Sequence, residues 1–310
     1  MTQHQHELVL RPITGPDELD LFNRFPYVLN DELAGDLTAG HRRPQWLWLA
    51  LRGDRVVARA GWWSRPGDEH PHVMDIFDIA DSTDDGVRLL ETALSAVVPA
   101  GVTPPEYGRF LPPDWREHDD TRQAVDDHMN ALERVGAKLF VERLRLQWLP
   151  GTPIAEPTGR LAFRPVRDAA ELINLMTLVM EGTLDAHGRD DLTRMTAREA
   201  AEAQYHDEFE HYSSPREWWQ IATLPDGDPV GFVIPARNPY NPVIAYVGVV
   251  PAHRGHGYID ELLAQGTSVL AAQDVPRIRA ATDVGNVPMA RAFARAGYAT
   301  FERKIDMIWR

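Results

Sequence analysis

The apolar positions of the chain fall into short strand-like runs separated by helical stripes, and the same order of runs occurs twice. Trp46–Leu51 and Val56–Trp62 flank a Gly53-Asp54 turn, while Trp219–Thr223 and Val230–Ile234 flank Asp226-Gly227-Asp228. Both read as β-hairpins. Each is followed by a longer apolar run, Val73–Ile79 or Val243–Val250, that leads into a helical segment. After the second run, Ile259, Leu262, Leu263, Gly266, Val269 and Leu270 recur on one helical face. Each half thus reads as strand, helical region, hairpin, long strand, helix, strand, helix and closing strands. Strands interleaved with helices, a hairpin among them, predict an α/β fold with a mixed sheet.

The two halves also share residues. Leu8–Ile13 is matched by Leu161–Val166 at a shift of 153 from Arg11 to Arg164, and Glu18-Leu19 falls on Glu171-Leu172 at that shift. Ala131–Gly136 matches Ala292–Gly297 at a shift of 161, which carries Phe140, Leu144, Leu146 and Trp148 onto Phe301, Ile305, Met307 and Trp309. Matches that open and close both halves in order indicate a tandem duplication. The segment 152–159 has two prolines, a glycine and little apolar content, and reads as a linker between domains at 1–151 and 160–310.

Composition narrows the chemistry. The 310 residues are ample for two domains, and 44% apolar content supports ordinary cores. There is no cysteine, so disulfides, thiolate metal sites and a cysteine nucleophile are excluded. A formal charge of −14 argues against nucleic-acid binding and suits a cationic acceptor. No apolar run approaches a membrane span, and the opening residues carry no leader pattern, so cytoplasmic residence is expected.

The strongest chemical signal is residues 247–259. An apolar run ends at Pro251, a basic glycine-rich turn follows, and a helix begins. The first amides of a helix lack intrahelical acceptors and sit at the positive end of its dipole, which makes an anion site. Gly255 and Gly257 let the backbone close on a phosphate, and Arg254 and His256 supply further donors. A surface turn is the competing reading of such glycines. His253 and His256 have metal-ligand spacing but no third ligand beside them, so no metal is expected.

This turn and the stretch Asn286–Tyr298 together resemble the GCN5-related N-acetyltransferase (GNAT) family. The turn is similar to the family's Val-x-Pro-x-x-Arg/Gln-x-x-Gly-x-Gly/Ala loop, and Asn286–Tyr298 to its Asn-x-x-Ala/Met…Gly-Phe/Tyr helix. The resemblance covers roughly residues 160–310; the first half shows it only through the repeat. It implies two tandem GNAT-like domains, each a twisted, mostly antiparallel sheet with one splayed strand pair and flanking helices. It also implies acetyl-CoA as co-substrate, with pantetheine lying in the splay. Val249, Val250, Arg254, Gly255, His256, Gly257, Tyr258, Ile259 and Asn286 would hold it. The Val249 N–H would stabilise the oxyanion, and Gly248 is where a strand bulge would be cheapest.

Departures from the family pattern mark the rest. Ile259 replaces a small residue, and Asp260-Glu261 places negative charge near the phosphates. Phe293 stands where many relatives have an acid tyrosine, leaving Tyr298, Tyr246 or water to protonate the leaving thiolate. Strand 243–250 lacks the glutamate that relatives often use as base, which points to a water chain to a remote carboxylate. The acidic stretch Glu181–Asp191 would roof the acceptor site, with Asp185 and His187 as candidates to bind an ammonium and take its proton. Helix capping and solubility are the competing readings. In the first half, Asp81, Asp84 and Asp85 replace the cradle and would repel a pyrophosphate, so that half is expected to be a structural partner that also shapes the acceptor site.

The expected function is acetyl transfer from acetyl-CoA to a primary amine of a small cationic acceptor, by direct attack on the thioester. An aminoglycoside-like antibiotic is the first candidate, and the protein is expected as a monomer or homodimer. A non-catalytic acyl-CoA sensor or interaction module, or an acyltransferase using another donor, are the alternatives.

Overall fold

The chain opens with strand β1 (Leu8–Pro12), short helices α1 (Leu19–Phe22) and α2 (Leu33–Ala39), and the first predicted hairpin as β2 (Leu47–Arg52) and β3 (Arg55–Trp63). There follow β4 (Val73–Ile79), α3 (Thr83–Val97), β5 (Tyr107–Leu111), α4 (Asp119–Arg134) and β6 (Ala137–Trp148). The second pass contains β7 (Ala162–Pro165), α5 (Ala169–Val179), α6 (Ala186–Asp191) and α7 (Ala197–Asp207). It continues with the hairpin β8 (Gln220–Thr223) and β9 (Pro229–Arg237), then β10 (Pro242–Val249), α8 (Tyr258–Ala271), β11 (Ile278–Asp283), α9 (Val287–Arg295) and β12 (Ala299–Trp309). This computed structural model describes residues 7–310; residues 1–6, read above for a leader pattern, lie outside it. Among the described residues no helix is long and apolar enough to cross a membrane.

Two units form. One runs up to Val141 and takes in Lys304–Arg310; the other is Glu142–Arg303. The division falls inside β6 and β12, and segment 152–159 lies within the second unit. The first unit orders its sheet β1-β2-β3-β4-β5 and then the end of β12; the second orders β7-β8-β9-β10-β11 and then the end of β6. Strands β1 to β4 pair antiparallel, as do β7 to β10. The two parallel pairs, β4 with β5 and β10 with β11, each keep a single register partner, Met74↔Tyr107 and Val243↔Arg279. Beyond that point the strands part, so each unit contains a fork.

Alternation along the strands explains the layers. In the second unit Ile244, Val247, Ile278 and Ala280 pack with Leu262, Leu263 and Leu270 of α8 and Phe293 of α9. On the opposite face Ile221, Phe232 and Ile234 pack with Leu172 and Met176 of α5 and Ala201 and Tyr205 of α7. The first unit repeats the arrangement, with Phe77, Leu89, Leu90 and Leu132 on the α3/α4 face and Phe22, Leu33, Leu47 and Ile76 on the other.

The repeat has a physical core of its own. Arg11 donates to both oxygens of Glu18 at 2.8 and 2.7 Å, and Arg164 does the same to Glu171 at 3.0 and 2.7 Å. Glu18 also accepts the Thr14 N–H at 2.7 Å, and Glu171 the Arg167 N–H at 2.9 Å. Paired with arginine and hydrogen-bonded by a backbone amide, each carboxyl is held down at about 2. A folded-state value below the unfolded one gives stability that is complete above the ordinary glutamate range and is lost as pH falls through it. Glu18→Gln with Glu171→Gln is therefore expected to lower the urea midpoint near neutral pH. The gap from the unsubstituted protein should close as pH falls from about 5 toward 2. Urea titrations at several pH values check this, and a gap independent of pH would refute it.

Candidate functional site

The site grows out of β10. Its register with β9 shifts between Ile244 and Tyr246, so the bulge falls at Ala245 and not at Gly248. The reason is side-chain phase. Ile244 and Val247 both enter the α8-side core while Tyr246 joins the α5-side aromatics, and an uninterrupted strand cannot do both. Gly248 is small for another reason: a Cβ there would lie 2.5 Å from Val179 Cγ1 on α5.

Val250 donates its N–H to Val230 O of β9 at 2.9 Å. Strand alternation therefore turns the Val249 N–H to the opposite edge, into the gap where β11 has parted from β10. The turn that follows keeps Gly255 and Gly257 left-handed, at φ 85° and 75°. A Cβ at either would meet nothing within 4 Å, so the space over the turn is open. The N–H groups of Gly255, His256, Gly257, Tyr258 and Ile259 have no acceptor among the described residues, and α8 has no side-chain N-cap. Five successive unmet donors at a helix start, beside an open strand edge, fit a pyrophosphate followed by an extended amide-bearing arm.

Arg254 does not face that space. Its guanidinium donates to Val249 O at 3.1 Å, Glu181 O at 2.6 Å and Val179 O at 2.7 Å, which ties the turn to the C-terminal end of α5. His256 remains exposed with its ring 5.7 Å from that of Tyr258, and Tyr258 and Ile259 form the first turn of α8. His253 is occupied by Asp228 at 2.9 Å. The acids beside the cradle are paired: Glu261 with Arg160 at 2.5 Å, while Thr158 donates its hydroxyl to Glu261 at 2.9 Å, and Asp260 with Arg295 at 2.7 Å. Asn286 caps α9, its side chain accepting from Met289 N at 3.4 Å.

Across the gap, Asp283 ends β11 and is 2% exposed. Its Oδ2 accepts the Ala186 N–H at 2.6 Å, and Oδ1 lies 3.1 Å from Arg143 Nε without a hydrogen bond of its own. Burial first, then the charge of Asp185, raises its pKa above the usual aspartate range. Sequence reasoning passed over Asp283; the available signal was a lone acid closing a strand three residues before Asn286. Asp185 caps α6, accepting from Gly188 N at 2.8 Å, and its other oxygen lies 3.8 Å from Arg143. His187 follows two residues later in the first turn of α6, close enough to act electrostatically on Asp283. The structure thus brings Asp185, His187 and Asp283 together. Tyr298 is elsewhere: it is 4% exposed, and its hydroxyl bonds Thr267 at 2.8 Å beside the Phe293 ring. Burial pushes its pKa up, so it holds α8 to the strand after α9. Tyr246, raised likewise by burial, stands between the charges of Asp185 and Arg254.

Comparison with known proteins agrees with this geometry. Residues 187–298 match the model of the Acetyltransferase (GNAT) family. Among solved structures, a GCN5-related N-acetyltransferase from Sphaerobacter thermophilus is similar at TM-score 0.61 and 15% identity, over 97% of this chain and 95% of that one. A tandem GNAT protein from the clavulanic acid biosynthesis pathway aligns at TM-score 0.50 and 16% identity, over 97% and 98%. A GCN5-related N-acetyltransferase from Kribbella flavida does so at 0.51 and 14%, over 92% and 96%. No curated protein sequence matches the chain.

Proposed function

We propose that the second unit, whose residues 187–298 match the model of the Acetyltransferase (GNAT) family, transfers acetyl from acetyl-CoA to a primary amine of a small cationic acceptor. The observation that carries this reading is the run of five unmet amides from Gly255 to Ile259 opening onto the β10–β11 gap. Acetyl-CoA, when bound, supplies an acetyl group activated as a thioester. The amides of 255–259 hold its phosphates, and the β10 edge and Asn286 hold its arm. The Val249 N–H, directed into the gap, donates to the acetyl carbonyl oxygen and favours the charge that grows there on attack.

On the acceptor side, Asp185 and Asp283 attract an ammonium, and Asp283 takes its proton. A carboxyl raised by burial is a stronger base than an exposed one, which is the direction this step needs. Phe293 cannot donate a proton, and Tyr298 is committed to Thr267, so Tyr246 or water protonates the departing thiolate, whose own basicity is modest. Amines of several positive charges suit the acids best, with aminoglycoside-like compounds the first class to screen.

Calorimetry and thiol release test the reading together. Acetyl-CoA is expected to bind once per chain, and Gly257→Val to weaken it at least about 10-fold, since valine strains a left-handed position and fills the open space. A panel of small amines is then expected to drive thiol release. Tight binding with no turnover on any amine would support the sensor reading instead, and absence of binding would refute both.

A further inference from the structure

The segment that reads as a linker is packed along the second unit. Thr152 lies against the end of α9, where a Cβ on Gly297 would come 2.4 Å from its methyl carbon, and Ile154 packs on the α8/α9 core. The chain then reaches Thr158, turns through a left-handed Gly159 at φ 80°, and brings Arg160 to the first turn of α8. This strap ends at the cradle.

Arg160 makes two kinds of contact there. Its Nη1 donates to His256 O at 3.0 Å, and its guanidinium carbon lies 5.1 Å from the centre of the Tyr258 ring. Its Nε donates to Glu261 Oε1 at 2.8 Å, with Nη2 2.5 Å from the same oxygen. Thr158 donates to the other oxygen at 2.9 Å, so the strap meets both oxygens of Glu261.

The first contact acts through peptide geometry. In a trans peptide the C=O and the following N–H point in opposite directions. Holding the His256 carbonyl on Arg160 therefore directs the Gly257 N–H away from the strap, and that N–H has no acceptor among the described residues. Glycine at 255 and 257 leaves the backbone free to rotate this peptide, so its orientation needs a hold from outside the turn. The second contact is electrostatic. Glu261 is 9% exposed in the first turn of α8, so little water screens its charge. Unpaired, it would repel a phosphate at the same helix start; Asp260, the other acid of that turn, has its own partner in Arg295.

We propose that Arg160 is a positioning residue for the phosphates of acetyl-CoA, aiming the Gly257 N–H and cancelling the charge of Glu261. The inference rests on the acetyl-CoA reading of the cradle. It extends the binding machinery to a segment outside residues 187–298, which carry the family match.

Calorimetry on the full chain with acetyl-CoA and with S-acetylpantetheine, which keeps the thioester and its arm but has no phosphate, tests this. Arg160→Ala is expected to weaken acetyl-CoA about 10-fold and to leave S-acetylpantetheine unchanged. Arg160 is exposed, so the fold survives, and an unchanged melting temperature verifies it. Arg160→Lys keeps the charge but not the fork that spans carbonyl and carboxylate, and should fall between. Adding Glu261→Gln to Arg160→Ala should recover part of the loss, the remainder belonging to the freed peptide. Acetyl-CoA binding that Arg160→Ala leaves unchanged would overturn this inference alone. So would an equal loss for both ligands, because Arg160 would then only hold the fold. Failure of the unsubstituted protein to bind acetyl-CoA would overturn the reading of the cradle and this inference with it.

Discussion

Replacing Asp283 with asparagine is expected to lower kcat for an amine acceptor by about 10²–10⁴-fold, the range for a lost general base, with acetyl-CoA affinity unchanged. The substitution separates chemistry from architecture. An asparagine carbonyl can still accept the Ala186 N–H that now reaches Asp283 Oδ2 at 2.6 Å, so α6 stays in place. What disappears is the carboxylate at the end of β11, across the gap from the Val249 N–H. Because burial raises the Asp283 pKa, the acid limb of the kcat/KM profile should lie above the ordinary aspartate range and should be absent in the variant. Asp185→Asn should do far less to kcat, since asparagine caps a helix as well as aspartate does. Thiol-release kinetics across pH distinguish these outcomes; a variant with full kcat would remove Asp283 from the mechanism.

The largest stability effect is expected in the first unit. Arg42 is 2% exposed and donates twice to Asp75, both at 2.7 Å, once to Asp36 at 2.9 Å, and to Trp62 O at 3.2 Å. Arg42→Ala would take the guanidinium from two buried carboxylates, Asp36 and Asp75, and breaking a buried pair from one side costs about 3–5 kcal/mol. For a unit of this size that is a fall in melting temperature of roughly 10 °C, readable by scanning calorimetry on the full chain. The desolvation argument also predicts rescue. Arg42→Met combined with Asp36→Leu and Asp75→Leu should recover most of the loss, because removing every member of a buried ionic cluster leaves nothing unpaired. A mild effect of Arg42→Ala alone would mean that water reaches the cluster.

These residues show where sequence reading stops. The repeat was legible because Arg11 and Glu18 recur as Arg164 and Glu171, and a bidentate ion pair tolerates neither a shorter arginine substitute nor a shift of spacing. The hairpins and the glycine turn were legible because alternation and left-handed positions leave local marks. Arg42, Arg59, Asp75 and Asp78 left none: charged residues belong at the surface by default, and only tertiary packing puts them inside. The bulge at Ala245 was written in the phase change between Ile244 and Val247, but a glycine three residues on drew attention away from it. Asp283 and Asp185 are far apart in the chain, and only the fold makes them neighbours. The direction of the Arg254 side chain was invisible for the same reason, since its partners lie on α5.

The division of the molecule inside β6 and β12 bears on how the protein is made. The sheet of the first unit ends in residues 304–309, so everything up to Val141 can emerge from the ribosome and still lack its last strand. Contacts of such sequence separation form late, and until they do β5 presents an unpaired edge to any other strand in reach. A chain cut at 152–159 would therefore yield not two domains but two incomplete ones. The strand order occurs twice in this chain, and the exchanged ends give both units a common birth time.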